Sequence, residues 1–274
     1  MFNAYLNLFF KRKEFIYCFL FMTTTSLGLF LYDCFIQYGA DVGNVLSADK
    51  LFIGRNYGNP IYILLQFILP LIIVIPFSDI SSFEKNANIT PVILTRSDRK
   101  IYFRSQLFVS GISSWFVVFI PFMLNYILGL IAFPLNSVNT TTAIVGGIYS
   151  DYYGVYLDKI LFPKFFSINA YFYNFILLLL LCSYCSLCSM LIYTISYFFK
   201  GNRVLLLFFA FIINNFLIIV TDTIGFSISP FDYLFSYSTG YVKSELFLVF
   251  LFGFMIVTIV LLAAKCEKKL CELE

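Results

Sequence analysis

The sequence predicts an all-α integral membrane protein with six transmembrane helices, preceded by a short interfacial helix. Of its 274 residues, 61% are hydrophobic and only 12% are charged, whereas soluble domains contain about 45–50% apolar and about 25% charged residues. A folded protein keeps a large water-facing surface, so a soluble fold of this size could not cover so much apolar area. The chain therefore needs lipid as its solvent.

Long segments without charge give the positions of the six helices in a single transmembrane domain, residues 1–274. A spanning helix needs about 20 mostly apolar residues. Stretches such as residues 175–181 do not alternate polar and apolar positions, which argues against β-barrel strands. Helices satisfy their own backbone hydrogen bonds in lipid. The approximate spans are residues 15–35, 59–78, 106–133, 171–199, 204–220 and 245–264.

The N-terminal residues 1–13 are amphipathic at helical spacing. Phe2, Tyr5 and Phe9 lie on one side, and asparagines and the basic cluster 11–13 lie on the other. Such a helix can lie in the interface plane, with its basic face on anionic headgroups. A plain helical extension of the first span is the alternative, and the sequence favours neither.

Basic residues are unequally distributed between the two sides. Most of the 18 Lys and Arg residues fall at the two ends and in the even-numbered connections. The positive-inside rule therefore predicts that both termini are cytoplasmic. The long, Tyr-rich connection 134–170 is then outside. The basic residues on that outer side are Lys50, Arg55, Lys159, Lys164 and Lys243.

Cysteine and histidine usage argues against a metal centre and against catalysis. The chain has no histidine, which excludes imidazole metal sites and Ser-His or Cys-His nucleophiles. Cys182, Cys185 and Cys188 have C-x-x-C-x-x-C spacing, but they lie in an apolar run and serines repeat at the same spacing. We interpret this pattern as a small-residue stripe that lets helices approach closely. We predict no catalytic residue and no metal site.

Polar residues inside the predicted spans are candidates for a transport pathway, because intramembrane polar groups often face a bundle interior or a cavity. The alternative is an interhelical hydrogen bond, worth about 0.6 kcal/mol on average in membranes. No ionisable residue lies deep in a predicted span, which argues against a proton or sodium relay. The candidates are Thr24, Gln66, Asn125, Asn214 and Asn215.

The inner segment 79–104 is the most informative connection. Ser81 or Ser82 can cap a helix start, with Glu84 in the first turn. Thr90 and the proline after it can open a second short helix. The segment is basic overall, and by composition alone it would be a solvated cytoplasmic loop.

The inner segment reads F-E-K-N followed by T-P-V-I-L-T-R-S-D-R-K-I-Y-F-R-S-Q-L. This pattern is similar to the loop after the second span in ABC-2 type transporter permeases, and the resemblance covers most of the chain. There, a Glu-rich start precedes a short helix and an arginine-containing turn. Residues 162–193, and the later run F-F-K-G-N-R-V-L-L-L, are similar to small bacterial members.

The resemblance implies that two permease chains, identical or homologous, form the pathway and that short coupling helices contact two cytoplasmic ATPase subunits. ATP and Mg would bind to those subunits, because this chain has no G-x-x-x-x-G-K-[ST] motif and needs no cofactor of its own. The coupling residues would be Ser82, Glu84, Lys85, Thr90, Arg96, Arg99, Lys200, Asn202 and Arg203.

We therefore expect a non-enzymatic permease subunit of an exporter in a bacterial plasma membrane. The aromatic share of 21% weakly favours a hydrophobic or amphiphilic cargo, peptide- or antibiotic-like or lipid-like, and no nucleic acid partner is expected. The alternatives are an ATP-independent secondary transporter or channel, and a membrane immunity or sensor protein. An intramembrane enzyme would need an acid/base pair that the spans do not offer.

Overall fold

A computed structural model shows that the described part of the chain is helical. It describes residues 1–40, 45–49, 51–52, 60–86, 90–95, 98–135, 161–198, 203–224, 229–230, 234 and 244–271. Within those ranges all regular structure is α-helix, which confirms the predicted fold class at that level. The helices are α1 Phe2–Lys11, α2 Lys13–Gln37, α3 Pro60–Ile72, α4 Ile80–Asn86, α5 Thr90–Leu94, α6 Arg99–Ala132, α7 Pro163–Ile168, α8 Ala170–Ser196, α9 Arg203–Ile224 and α10 Glu245–Cys271.

Four helices are long and apolar enough to cross a membrane, judged by length and composition. They are α2, α6, α8 and the Glu245–Lys268 part of α10. Each exceeds the roughly 20 residues that a bilayer core requires. These four match the first, third, fourth and sixth predicted spans.

The other two predicted spans coincide with shorter apolar helices. In α9 the apolar stretch is Phe208–Val220. Helix α3 has 13 residues and is about 20 Å long. Residues 73–79 continue it as turns, so the prediction of one continuous helix through residue 78 is wrong. The physical reason is proline: Pro70 lies inside α3 and Pro76 follows, and neither has an N–H to donate.

The turns after α3 are covered by protein. Val74, Phe77 and Asp79 are completely buried. Irregular backbone at membrane depth is tolerated where other helices cover it. This buried segment leads the chain from α3 into the connection 79–104.

Helix α1 is separate from α2. Arg12 has an extended backbone (φ −69°, ψ 132°) between them, and the Phe9 ring packs 4.1 Å from the Phe15 ring across the break. Tyr5 and Phe9 are buried against the bundle. The alternative of a plain helical extension is therefore wrong.

Helix α1 and the last part of α10 lie at the same end of the bundle. Tyr5 in α1 and Tyr102 at the start of α6 have ring centroids 6.1 Å apart. Arg104, also near the start of α6, pairs with Glu267 near the end of α10 at 2.7 Å. We call this the α1 end. The other end contains the end of α6 and the start of α8, where the Tyr126 hydroxyl donates to the carbonyl of Tyr171.

Small residues bring α6 close to α8. A Cβ added at Gly111 would lie 2.7 Å from the Ser186 hydroxyl oxygen and 2.9 Å from the Met190 sulfur. The hydroxyl oxygen of Ser189 lies 2.7 Å from that of Ser78 and 2.8 Å from that of Ser110. The interpretation of a small-residue stripe on α8 is thus confirmed for Ser186 and Ser189.

Candidate functional site

The carboxylate of Glu84 lies inside the protein at the α1 end, where its side chain is 4% exposed. The Tyr5 hydroxyl from α1 donates to it at 3.4 Å, and the Gln106 side-chain amide from α6 donates at 2.8 Å. The Tyr102 hydroxyl, also from α6, donates to the same oxygen as Gln106. One side chain of the inner connection therefore joins α1, α4 and α6.

The Glu84 network continues into α8. The Tyr193 hydroxyl donates to the side-chain amide oxygen of Gln106 at 2.8 Å and lies 3.2 Å from the Tyr197 hydroxyl. Burial, and then the negative charge of Glu84, raise the pKa of Tyr5 well above its usual range. The phenol of Tyr5 therefore remains protonated at neutral pH and acts as a donor. Four helices meet in this one hydrogen-bonded cluster, which we call the Glu84 cluster.

An ion pair beside this cluster fixes the junction of α1 and α2. The Arg12 guanidinium is 3.3 Å from the Asp79 carboxylate, and the Asp79 side chain is fully buried. Arg12 also lies 3.4 Å from Glu14. Its charge sits 5.6 Å from the centre of the Phe77 ring and 5.9 Å from that of Phe83. Such cation–π contacts add to the pairing.

Serine contacts attach the inner connection to α8. The Ser81 hydroxyl in α4 is hydrogen-bonded to the Ser196 hydroxyl at the end of α8. Helix α4 begins at Ile80 and has no acidic residue in its first turn. The predictions that Ser81 or Ser82 caps this helix, and that Glu84 lies in its first turn, are therefore wrong. The Ser81 hydroxyl bonds to α8 instead, and Glu84 points to the bundle.

The remaining predicted coupling residues have mixed outcomes. Thr90 begins α5, as expected. Its buried hydroxyl has no hydrogen-bond partner among the described residues. Arg99 begins α6, and Asp98 caps that helix by accepting from the backbone N–H of Lys100 at 3.0 Å. The side chains of Ser82, Lys85 and Arg203, and residues Arg96, Lys200 and Asn202, lie outside what the structure describes.

The predicted pathway residues lie on four helices. Asn125 is buried, and its amide donates to the carbonyl of Ser26 at 3.1 Å, so it joins α6 to α2. Thr24 is exposed, and its hydroxyl donates within its own helix. The Asn215 amide also donates within its helix. Asn214 is buried, and its side chain has no partner among the described residues. The side chain of Gln66 lies outside the described part.

Asn125 thus fits the alternative of an interhelical hydrogen bond. Among the described residues, no hydrogen bond joins one of these pathway candidates to another. Their role in a pathway stays a prediction.

Several members of the site were not predicted from the sequence. Tyr102 and Gln106 are four residues apart on α6, and Tyr193, on α8, is four residues before Tyr197, which directly follows that helix in a helical conformation. Residues at this spacing share one face of a helix. A search for polar and aromatic pairs at that spacing near helix ends would have found them. The pairing of Arg12 with Asp79 has no comparable local signal.

The surface around the site combines positive charge with exposed apolar side chains. Lys11, Lys13 and Lys100 are exposed at this end. Phe83 on α4 is 47% exposed and Val92 on α5 is 58% exposed. The inner connection at the α1 end is therefore attached to the bundle by buried side chains, and it also has apolar side chains exposed on its surface.

The chain matches no family model, no curated protein and no solved structure.

Proposed function

We propose that the chain is the transmembrane permease subunit of an ATP-driven ABC exporter in a bacterial plasma membrane. Helices α2, α3, α6, α8, α9 and α10 would be its six spans, with the α1 end in the cytoplasm. The resemblance of the inner connection to ABC-2 type permeases motivates this proposal, and the position of α1 and the last part of α10 at one end of the bundle supports it.

The Glu84 cluster is the observation that carries the proposal. In this reading α4 and α5 are coupling helices, and a force applied to α4 is passed to the spans through Glu84. The carboxylate accepts hydrogen bonds from α1 and α6, and Ser81 holds α4 to α8. Buried polar networks of this kind hold their elements in one arrangement. The inner connection would then move together with α1, α6 and α8.

The uncovered face of α4 and α5 is where the ATPase would dock. Phe83 and Val92 are exposed there. Exposed apolar side chains rimmed by charge are typical of a protein interface. Two ATPase subunits would supply ATP and Mg, and a second permease chain would complete a pathway for a hydrophobic or amphiphilic substrate.

Co-purification tests this proposal. The tagged full-length chain is expressed with the ATPase subunit encoded beside it, and we expect the two to elute together. Val92→Glu should weaken the complex, because it places a charge in the proposed interface. Leu135→Glu is the matched control, since Leu135 is 55% exposed at the opposite end. Failure to recover an ATPase with the unaltered chain would refute the proposal.

Cysteine labelling tests the orientation. Arg96→Cys and Lys200→Cys lie in connections that we assign to the cytoplasm. We expect a membrane-impermeant maleimide to label them in inverted vesicles and not in intact cells. Labelling from outside intact cells would contradict both the orientation and the docking of an ATPase there.

One observation favours a second candidate, an ion-coupled secondary transporter. Asp79 and Glu84, which lie in the inner connection just outside the predicted spans, are both buried. Buried carboxylates often belong to proton relays in transporters. Substrate flux through the reconstituted chain under a proton gradient, without ATP or an ATPase, would support this candidate over the exporter.

A further inference from the structure

The break between α1 and α2 turns three consecutive basic side chains in two directions. Lys11, Arg12 and Lys13 follow one another, and Arg12 has an extended backbone. Neighbouring side chains on extended backbone point to opposite sides. The Arg12 side chain is accordingly 9% exposed and lies on the Asp79 carboxylate, whereas Lys11 and Lys13 are both exposed. The basic cluster is therefore not one face of α1, as the sequence suggested.

The two lysines supply the positive charge that remains at this break. Arg12 lies 3.3 Å from Asp79 and 3.4 Å from Glu14, so carboxylates already balance its charge. Within the described residues, neither Lys11 nor Lys13 forms an ion pair. The acid nearest to them along the chain is Glu14, which Arg12 contacts. The exposed side of the break therefore presents two ammonium groups that are available to an anion.

Apolar and aromatic side chains continue the exposed face of Lys13 along α2. Residues three and four apart share one face of a helix, and positions 16, 17 and 20 follow Lys13 at that spacing and are all exposed. No charged residue lies between Glu14 and Asp33, so this face enters the uncharged part of the span within one turn. We call the exposed side chains on both sides of the break the lysine surface. It consists of Phe10, Lys11, Lys13, Ile16, Tyr17 and Leu20.

We propose that the lysine surface binds one anionic phospholipid. The ammonium groups of Lys11 and Lys13 contact the phosphate, because lysine binds phosphate as a compact point charge. Tyr17 lies one turn further along α2, and tyrosine side chains prefer the depth of the headgroups. The acyl chains lie on Ile16 and Leu20, which face the hydrocarbon of the bilayer. The site thus combines charge at the membrane boundary with an apolar face below it.

The arrangement favours a lipid over a soluble anion. A free phosphate would contact only exposed lysines, whose attraction is screened by salt. A phospholipid also covers the apolar part of the surface, and a spanning helix such as α2 already has lipid beside it. Anionic lipids are attracted to lysines close to the membrane surface, whereas zwitterionic lipids are not. This inference goes beyond the proposed function and does not depend on an ATPase partner.

The single tryptophan of the chain provides the assay. The Trp115 ring lies 5.5 Å from the Phe116 ring, which lies 6.4 Å from the Phe10 ring of the lysine surface. The purified full-length chain is reconstituted in phosphatidylcholine vesicles, and part of the lipid is replaced by dibrominated phosphatidylglycerol or dibrominated phosphatidylcholine. Bromine on an adjacent acyl chain quenches tryptophan fluorescence. From the fraction quenched, we expect an affinity at least about fivefold higher for phosphatidylglycerol.

Paired lysine variants show whether the lysine surface causes this preference. Lys11→Gln combined with Lys13→Gln should abolish it, whereas Lys11→Arg combined with Lys13→Arg keeps both charges and should preserve it. Lys265→Gln combined with Lys268→Gln is the matched control, since both lysines are exposed on α10 at the same end of the bundle. Helix α10 packs mainly against α8 and not against α1. The control should bind phosphatidylglycerol as the unaltered chain does.

Native mass spectrometry of the chain in detergent gives a second readout that does not need Trp115 to contact lipid. We expect one phosphatidylglycerol to remain bound to the unaltered chain and none to the variant with both glutamines. Glycerophosphoglycerol, the same headgroup without acyl chains, should not displace it. The inference would be overturned by equal binding of the two lipids, or by a preference that survives in the glutamine variant. Equal loss in the α10 control, or displacement by glycerophosphoglycerol, would also overturn it.

Discussion

Truncation of Glu84 should destabilise the α1 end of the bundle more than any surface change. Glu84→Ala removes the acceptor shared by Tyr5, Tyr102 and Gln106. The 3.4 Å bond from Tyr5 is long and contributes least. A buried donor left without a partner costs about 1–3 kcal/mol. Leaving the Tyr102 hydroxyl and the Gln106 amide without an acceptor should therefore lower the free energy of unfolding by about 2–6 kcal/mol.

Glu84→Gln separates charge from shape. The amide retains one acceptor oxygen, but its NH2 group must then face at least one of the three donors. We expect a loss of about 1–3 kcal/mol, between the unaltered chain and the alanine variant. Glu267→Gln is the matched control, and it should change stability little, because Arg104, the partner of Glu267, is 60% exposed.

Equilibrium unfolding in mixed detergent micelles measures these differences. The dodecyl sulfate fraction is raised and helicity is followed by circular dichroism. The reasoning would be refuted if Glu84→Ala unfolded at the same fraction as the unaltered chain. It would also be refuted if Glu84→Gln and Glu267→Gln were indistinguishable, since the burial of the carboxylate would then have no energetic consequence.

Further predictions concern the ion pair and the small residues. Arg12→Gln should cost about 3–5 kcal/mol, because the Asp79 carboxylate remains buried. The double variant with Arg12→Gln and Asp79→Asn should recover part of that loss. If the losses of the two single variants simply added in the double variant, the pairing of Arg12 with Asp79 would be contradicted. Gly111→Ala should cost about 1–3 kcal/mol by pushing α6 from α8. Gly129→Ala, with open space at its Cβ, should be neutral or stabilise by up to about 1 kcal/mol. If the two alanine variants lost equal free energy of unfolding in mixed micelles, close packing at Gly111 would be ruled out. Ser189→Ala should cost about 0.6 kcal/mol in the same assay, and a loss several times larger would mean that the serine cluster is cooperative.

The membrane-helix character was predictable because it depends on composition along the chain. Four of the six predicted spans are helices long enough to cross a bilayer, and helical backbone in lipid follows from local hydrogen bonding alone. The end of the second span was predicted less well. Pro70 and Pro76 were visible in the sequence, yet the hydropathy of residues 73–78 does not show that they form buried turns.

The candidate site was likewise predicted only in part. Glu84 was recognised as a residue of interest, but as a charge in the first turn of a coupling helix. Its burial depends on Tyr102 and Gln106, which come from α6. A single sequence does not state which side chains meet across such a connection, since the helices can rotate about their axes without changing their pattern.

The sequence by itself determined that the chain is helical and apolar enough for a membrane, and it determined where the charges interrupt the spans. Only the tertiary structure decided that Arg12 meets Asp79 and that four helices share the Glu84 cluster. The physical reason is that hydropathy and helix formation act over neighbouring residues. Pairing of buried charges depends on how separate helices pack, which no local pattern specifies.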